Sequence, residues 1–181
     1  MISYFPGTTV EVSRLERGSS RELFHGIFAA GGVTLHQVSS MTGLEPYMIQ
    51  NWVKRGFLTS PVKRLYSEEQ FARIIIINML RESLQIDTVC ELMQAIDSPT
   101  RGGEGGSAEL YHRYVDMLLD PSLDLRDTAS VKAAAERAVA DMDSGVSGRD
   151  RQLSIILMTV YYAHTASRLR SMAAEMLSHL K

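Results

Sequence analysis

Cysteine is almost absent from this chain of 181 residues, and its scarcity limits the chemistry that the protein can use. The single residue, Cys90, has no second cysteine in the chain with which to form a disulfide. The segment MISYFPGTTVEVSR mixes polar and apolar residues and lacks the basic start, apolar stretch and small-residue cleavage site of a signal peptide. Because stable disulfides are typical of oxidising compartments, we expect an intracellular, cytoplasmic protein.

Long hydrophobic runs are also missing. One apolar-rich stretch without a charged residue, QLSIILMTVYYAHTAS at 152–167, contains Gln, Ser, Thr and His. It is shorter than the ~20 apolar residues that a membrane-spanning helix requires, so it predicts a buried helix. Apolar residues make up 45% of the chain, which is ample for a packed core in one domain or two small ones.

Motifs for catalysis or metal binding are absent as well. The five histidines are scattered, with no H-x-x-x-H or H-E-x-x-H pair. The glycines of RGGEGGS lack the Gly-Lys-Ser/Thr of a phosphate-binding loop, and no Gly-x-Ser-x-Gly elbow occurs. We therefore predict that the protein is not an enzyme and has no catalytic residue, cofactor or metal site.

Charge is distributed unevenly along the chain, although the net charge is only −2. Residues 34–81 contain six Lys and Arg against three Asp and Glu, whereas residues 82–143 contain five against thirteen. The stretch from residue 144 onward returns to five against two. A mildly basic module therefore precedes an acidic one.

Helix-start signals recur at short intervals. The capping-box pattern, a hydroxyl residue followed three positions later by Glu or Gln, occurs at Ser19, Thr34 and Ser67. Pro46 suits the first position of a helix, and Asp87 suits a cap. These signals predict helices at 20–29, 35–42, 46–54, 68–81, 87–96, 107–119, 129–142 and 149–180.

Two segments between these helices are predicted not to be helical. Residues 57–66 contain Pro61 and β-favouring residues, which predict a short hairpin or extended wing. The glycine-rich stretch 97–109 predicts a loop and a module boundary. The last helix is apolar around most of its circumference, which indicates a central core helix or, alternatively, a helix that also supplies a subunit interface.

Short helix, glycine turn, short helix and basic wing is the layout of a winged helix-turn-helix. In the second helix Ile49, Trp52 and Val53 recur at i, i+3, i+4 and form an apolar stripe. We therefore expect Trp52 to face the domain as a core residue. The residues predicted to contact DNA are Tyr47, Gln50, Asn51, Lys54 and Arg55 around this helix, and Lys63, Arg64 and Tyr66 on the wing. For the polar residues a solvated helix face is the alternative, and for Tyr66 it is packing at the base of the wing.

The motifs VSSMTGLEP, IQNW, RGFL, RLYSEEQ and INMLRESLQIDTVCELM resemble the N-terminal DNA-binding domain of the MerR family of transcription regulators over about 60 residues. Over its full length the chain more closely resembles a bacterial family, the DUF1836 domain proteins. The MerR resemblance implies a winged helix-turn-helix that binds double-stranded DNA. Where MerR proteins usually have an Arg followed by an aromatic residue, this chain has Gln50 and Asn51, and the cysteines of the metal-sensing members are missing.

Together these observations predict a mainly α-helical protein with a small β wing. Its parts are an arm and first helix at 1–33, a MerR-like winged helix-turn-helix at 34–98 and an acidic helical region at 99–181. We expect a transcriptional regulator that binds double-stranded DNA as a homodimer, with a protein partner or small-molecule effector at its C-terminal half and no membrane association. The alternative is a helical protein-interaction module that keeps the winged-helix shape and uses its acidic segment to bind a basic partner.

Overall fold

The computed structural model describes residues 3–97, 106–140 and 148–180, and these are mainly helical. A two-stranded hairpin, β1 (Ser3–Tyr4) and β2 (Glu11–Val12), precedes helix α1 (Ser19–Phe28). The helix-turn-helix region comprises β3 (Val33–Thr34), α2 (Leu35–Thr42), α3 (Pro46–Lys54) and β4 (Leu65–Tyr66). The remaining helices are α4 (Glu68–Leu80), α5 (Ile86–Asp97), α6 (Gly106–Leu118), α7 (Thr128–Val139) and α8 (Arg149–Ser178).

The helix bounds lie within a few residues of those predicted from the sequence. Two of the three predicted capping boxes, at Thr34 and Ser67, are confirmed with both reciprocal hydrogen bonds. The prediction at Ser19 is wrong, because Gly18 is the N-cap and the Ser19 hydroxyl donates to the Glu16 carbonyl instead. Asp87 is in the first turn of α5 and not at its cap, since the helix begins at Ile86.

Helix α4 is the centre of the molecule. Its isoleucines at 74–77 are all nearly or completely buried, because α4 packs against α6 and α8 as well as against α2 and α5. One continuous cluster of buried side chains extends from Phe24 in α1 to Ala163 in α8. The basic region and the acidic region therefore share a core.

The long helix α8 has two parts. Leu153, Ile156, Leu157 and Val160 are buried against the other helices, as the sequence pattern predicts. From residue 168 to residue 180, in contrast, every residue is exposed. The helix has 30 residues, so its length is about 45 Å, and its last three turns are exposed although Arg170 still contacts Glu82.

Candidate nucleic-acid interface

The helix-turn-helix is held by caps at both ends of α2. The Thr34 hydroxyl accepts from the Gln37 amide at 3.3 Å, and the Gln37 side chain accepts from the Thr34 amide at 2.8 Å. At the other end Gly43 has a φ of 69°, a conformation that glycine adopts at little cost, and its amide donates to the Ser39 carbonyl. Pro46 then begins α3 after only three intervening residues. These local interactions set the turn that separates the two helices.

Helix α3 has a buried side and an exposed side. Ile49 is completely buried and Trp52 is 5% exposed, which confirms the prediction that the tryptophan is a core residue. Tyr47 is 68% exposed. The other exposed polar side chains on this helix are Gln50, Asn51 and Lys54. One face of α3 therefore presents two amides, an ammonium and a phenol to solvent.

A tight turn lies at the tip of the segment predicted to be a wing, residues 57–66. The backbone of Val62 and Leu65 exchanges two hydrogen bonds, at 3.1 and 2.9 Å, around Lys63 and Arg64. These two residues have φ angles of 50° and 66°, which side chains other than glycine, Asn and Asp rarely adopt. Both side chains are exposed. The turn thus carries two adjacent positive charges on a strained backbone.

The strand that follows the turn pairs with the strand that precedes α2. In this antiparallel pair Thr34 lies opposite Leu65, and Val33 lies opposite Tyr66. The wing is therefore one tight turn beside the start of α2, and its two strands are supplied by residues more than 30 positions apart. The predicted hairpin within 57–66 is limited to the bridge between Val62 and Leu65.

Tyr66 differs from the other predicted contact residues. Its side chain is 3% exposed and belongs to the core, and burial raises the pKa of its hydroxyl. This phenol is not presented to solvent, so it is not available to a phosphate in this structure. The packing alternative describes its position, and we leave Tyr66 out of the contact surface.

The loop between α3 and the turn is anchored by α4. The side-chain amide nitrogen of Gln70 donates to the Thr59 carbonyl at 2.9 Å, to the Thr59 hydroxyl at 2.8 Å and to the Ser60 carbonyl at 3.1 Å. Arg73 donates to the Phe57 carbonyl at 2.9 Å, and the guanidinium of Arg55 lies 4.5 Å from the Phe57 ring centroid. Sequence reasoning assigned Gln70 only to a cap, because its second role depends on a loop ten residues away in the chain.

The basic residues around this surface are not neutralised by the protein. Within residues 3–97, 106–140 and 148–180, no ion pair involves Lys54, Arg55, Lys63 or Arg64. One exposed carboxylate, Glu45, lies at the N-cap of α3. The surface is therefore positive on balance, with a negative charge at the start of α3.

In the acidic segment, residues 82–143, most of the described carboxylates do have a partner within the chain, unlike the basic residues above. Asp116 accepts from Arg21 at 3.1 Å and from the Gly18 amide at 3.0 Å. Asp120 accepts from Arg137 at 2.8 Å, an interaction that lowers the pKa of this carboxyl strongly. The other carboxylates that pair with a basic side chain are Glu82, Glu109, Asp124 and Glu136.

One constellation of catalytic residue types was not predicted. Ser20 and His112 are 2.9 Å apart, between the serine oxygen and Nδ1, and Glu68 lies 3.6 Å from Nε2 of the same histidine. Ser20 is completely buried and His112 is 4% exposed, so no substrate can reach the hydroxyl. Burial, followed by the charge of Arg21, lowers the pKa of His112. We read this cluster as a hydrogen-bonded contact between α1 and α6, joined by residues 92 positions apart.

Other kinds of site were also sought. Among the described residues no group of three or more His, Cys, Asp or Glu side chains is arranged to hold a metal ion. In the same part of the chain no helix combines the length and hydropathy that a bilayer crossing needs.

Comparison with known proteins found one family match. Residues 32–114 match the model of a domain of unknown function, DUF1836, which supports the resemblance to the DUF1836 family seen in the sequence. The matched segment begins before β3 and ends within α6. It thus covers the helix-turn-helix, the wing, α4, α5 and most of the helix that packs on α4. No curated protein and no solved structure matches the chain.

Proposed function

We propose that this DUF1836-related chain is a DNA-binding transcriptional regulator whose segment 34–98 acts as a MerR-like winged helix-turn-helix. The observation that carries the proposal is a combination of exposed amides and basic side chains on α3 and the wing that have no side-chain partner among the described residues. Ile49 and Trp52 are buried behind this face. An arrangement of this kind leaves one side of a helix free to enter a groove while the other side rests on the core.

Five of the exposed residues have a definite role in this proposal. The amides of Gln50 and Asn51 suit adenine, to which an amide can donate and accept at once. Lys54 suits guanine or a phosphate, and Lys63 and Arg64 suit the phosphate backbone beside the groove. Gln50 replaces the Arg usual in MerR proteins, so this chain depends on the wing for more of its phosphate contacts.

A single helix reads few base pairs, so the proposal includes a homodimer on a palindromic site. The exposed end of α8 supports this part. Ala166, Leu169, Ala173, Met176 and Leu180 are all exposed and follow the alternating three and four spacing of a coiled-coil seam. In an antiparallel pair about a two-fold axis near residue 171, Leu169 of each copy would face Ala173 of the other, and Ala166 would face Met176. Leu169 and Met176 then each meet an alanine, which favours close packing.

The protein-interaction alternative receives less support. It relies on the acidic segment to bind a basic partner, yet most described carboxylates of that segment already pair with Arg or Lys of the same chain. Within the described residues Asp87 and Glu91, both exposed on α5, and Asp127, the N-cap of α7, have no such partner. Two charges on one short helix and one at the start of another offer a small surface for a basic partner.

The test is the capture of fragments from sheared genomic DNA by the purified protein at two salt concentrations. We expect enrichment of sequences with two half-sites and an affinity that falls steeply with salt, with a log–log slope of about −0.9 per neutralised phosphate. The Lys63→Ala, Arg64→Ala variant should make this negative slope shallower by about two. Asn51→Ala should instead relax sequence preference and leave the slope unchanged.

The matched control is Arg126→Ala, which removes a positive charge from the exposed pair with Asp124, before α7. Its salt slope and its selected sequences should equal those of the unmodified protein. Absence of captured DNA at the lower salt concentration would refute the proposal. So would capture that is equally weakened by the wing variant and by Arg126→Ala.

A further inference from the structure

An open cleft of about 380 Å³ lies between the helix-turn-helix, the end of α4 and one face of α8. Thr42 and Gly43 form the wall on the side of the turn, and the floor consists of Asn78 and Met79 of α4 with Arg81 and Glu82 just after it. The residues from α8 that line it are His164, Ser167, Arg168, Ser171, Met172 and Glu175. These positions recur at i, i+3, i+4, i+7, i+8, i+11 and so occupy one side of the helix. The proposed coiled-coil seam lies on a different side.

Most of the polar groups in this cleft are already engaged. Arg81 donates to the Asn78 side chain at 3.0 Å, and Asn78 donates to the carbonyls of Gly7 and Thr42, both at 3.3 Å. Glu82 accepts from the Ser167 hydroxyl at 3.0 Å, and its backbone carbonyl accepts from Arg170. These groups support the walls and leave little free capacity for a ligand.

Arg168 is the exception on the positive side. Its guanidinium has no hydrogen bond and no ion pair with any residue that the structure describes. One turn earlier, His164 also lines the cleft, and its Nδ1 lies 2.6 Å from the Tyr114 hydroxyl. Burial, together with the charge of Arg168, lowers the pKa of His164 to about 4. The imidazole is therefore neutral at physiological pH and adds no charge of its own.

The negative side limits what Arg168 can hold. The Glu175 side chain has no partner within the described residues and lies seven positions along the same helix, about 10 Å away. Glu82 lines the same cleft. Two carboxylates beside a single free guanidinium disfavour a dianion, because a second negative charge would meet like charge. Met79 and Met172 supply apolar contacts in the same space.

We propose that this cleft binds a small organic monocarboxylate, with its carboxylate on Arg168 and its apolar part against Met79 and Met172. An arginine and a carboxylate form paired, charge-assisted hydrogen bonds. The volume falls within the range of ordinary small-molecule sites. The proposal does not depend on DNA binding, because it concerns only residues of α4, α8 and the turn.

The experiment is a thermal-shift titration with hexanoate at constant ionic strength. We expect a saturable rise of the melting temperature with hexanoate, and a smaller rise with succinate or inorganic phosphate, which carry more negative charge. Hexanamide, which has the same chain without the charge, should produce no comparable rise. If hexanamide acts as strongly as hexanoate, or if sodium chloride reproduces the effect, the proposal is wrong.

Variants locate the site. Arg168→Gln should weaken hexanoate binding about tenfold or more, since it removes the charged hydrogen bonds. Arg151→Gln, at an exposed position in the first turns of the same helix, should bind as the unmodified protein does. Ser171→Trp places a large side chain at an exposed cleft position and should abolish the shift while the protein remains folded. Equal binding by the Arg168 and Arg151 variants, or unchanged binding by the Ser171 variant, would overturn the assignment.

Discussion

At the wing tip, Lys63 and Arg64 adopt a backbone conformation that favours Asn and Gly. The Lys63→Asn, Arg64→Gly variant should therefore be more stable than the unmodified protein, by about 1–2 kcal/mol in the free energy of unfolding. On the proposed function it should also bind DNA less tightly, because it lacks the two basic side chains assigned to phosphates. Urea denaturation and fragment binding measure the two effects.

The Lys63→Ala, Arg64→Ala variant is the control, because it removes the same charges but keeps the strained Cβ atoms. It should lose DNA affinity to the same extent without the gain in stability. If both variants have the same unfolding free energy, the turn is not a source of strain.

The lowered pKa of His164 predicts that the free energy of unfolding depends on pH. Its pKa in the folded protein is about 4, below the ordinary value near 6.5 in the unfolded chain. Between these two values the unfolded state binds more protons, so stability falls as the pH is lowered through this window, by at most about 1.4 kcal/mol per pH unit from this group. His112, whose pKa is also lowered, acts with the same sign.

Denaturation between pH 7 and pH 4 measures the effect. His164→Gln should reduce the slope, whereas His36→Gln, at an exposed position, should leave it unchanged. An unaltered slope in the His164 variant would mean that this imidazole is not the source of the dependence.

At the level of elements, α6 depends on a carboxylate from another helix. Glu69 of α4 accepts from the amides of Ser107 at 2.5 Å and Ala108 at 3.0 Å, in the first turn of α6. A carboxylate there satisfies two free amides and interacts favourably with the positive end of the helix dipole. Glu69→Ala should therefore cost about 1–2 kcal/mol of unfolding free energy. Glu91→Ala, on the exposed side of α5, should cost much less.

Chemical denaturation with circular dichroism checks this prediction. A loss that is equal in the two variants would show that the contact contributes no more than an exposed glutamate. A larger loss of unfolding free energy in the Glu69 variant would show that the start of α6 is stabilised by α4.

At the level of the whole molecule, the exposed end of α8 determines the expected assembly. Leu169→Glu with Met176→Glu should convert a dimer to a monomer, because each copy would bury two carboxylates in an apolar seam. The helical content should stay nearly the same, since both side chains are exposed within the described part of one chain. Sedimentation equilibrium over a range of protein concentrations measures the change.

Ala174→Glu with Ser178→Glu adds the same charge on a different side of α8 and serves as the control. It should remain dimeric. A monomer in the unmodified protein, or dissociation of the control, would contradict the proposed seam.

The cleft lies between two parts of the molecule. Its walls belong to the turn of the helix-turn-helix and to the same helix that carries the seam. If both proposals hold, a monocarboxylate bound there would contact the DNA-binding part and the dimerising part at once. Comparing fragment binding with and without hexanoate then measures the coupling free energy between the two sites.

Local signals predicted the helices because their causes are local. The capping boxes at Thr34 and Ser67, the proline at 46 and the apolar spacing around Trp52 all act within a few residues of the chain. The error at Ser19 has a physical reason as well, since its hydroxyl found a nearby carbonyl at Glu16 and left the cap to Gly18. The exposed faces of α3 and of the wing turn were likewise predictable in outline.

The sequence by itself determined the helical character, the order of the elements and the division of α3 into a buried and an exposed side, because these follow from spacing and capping within one segment. Only the tertiary structure decided that Tyr66 is buried, that Gln70 anchors the wing loop and that Glu69 caps α6. It also decided which arginine in the cleft has no partner within the described residues. Such contacts join residues far apart in the chain, and no local pattern encodes them.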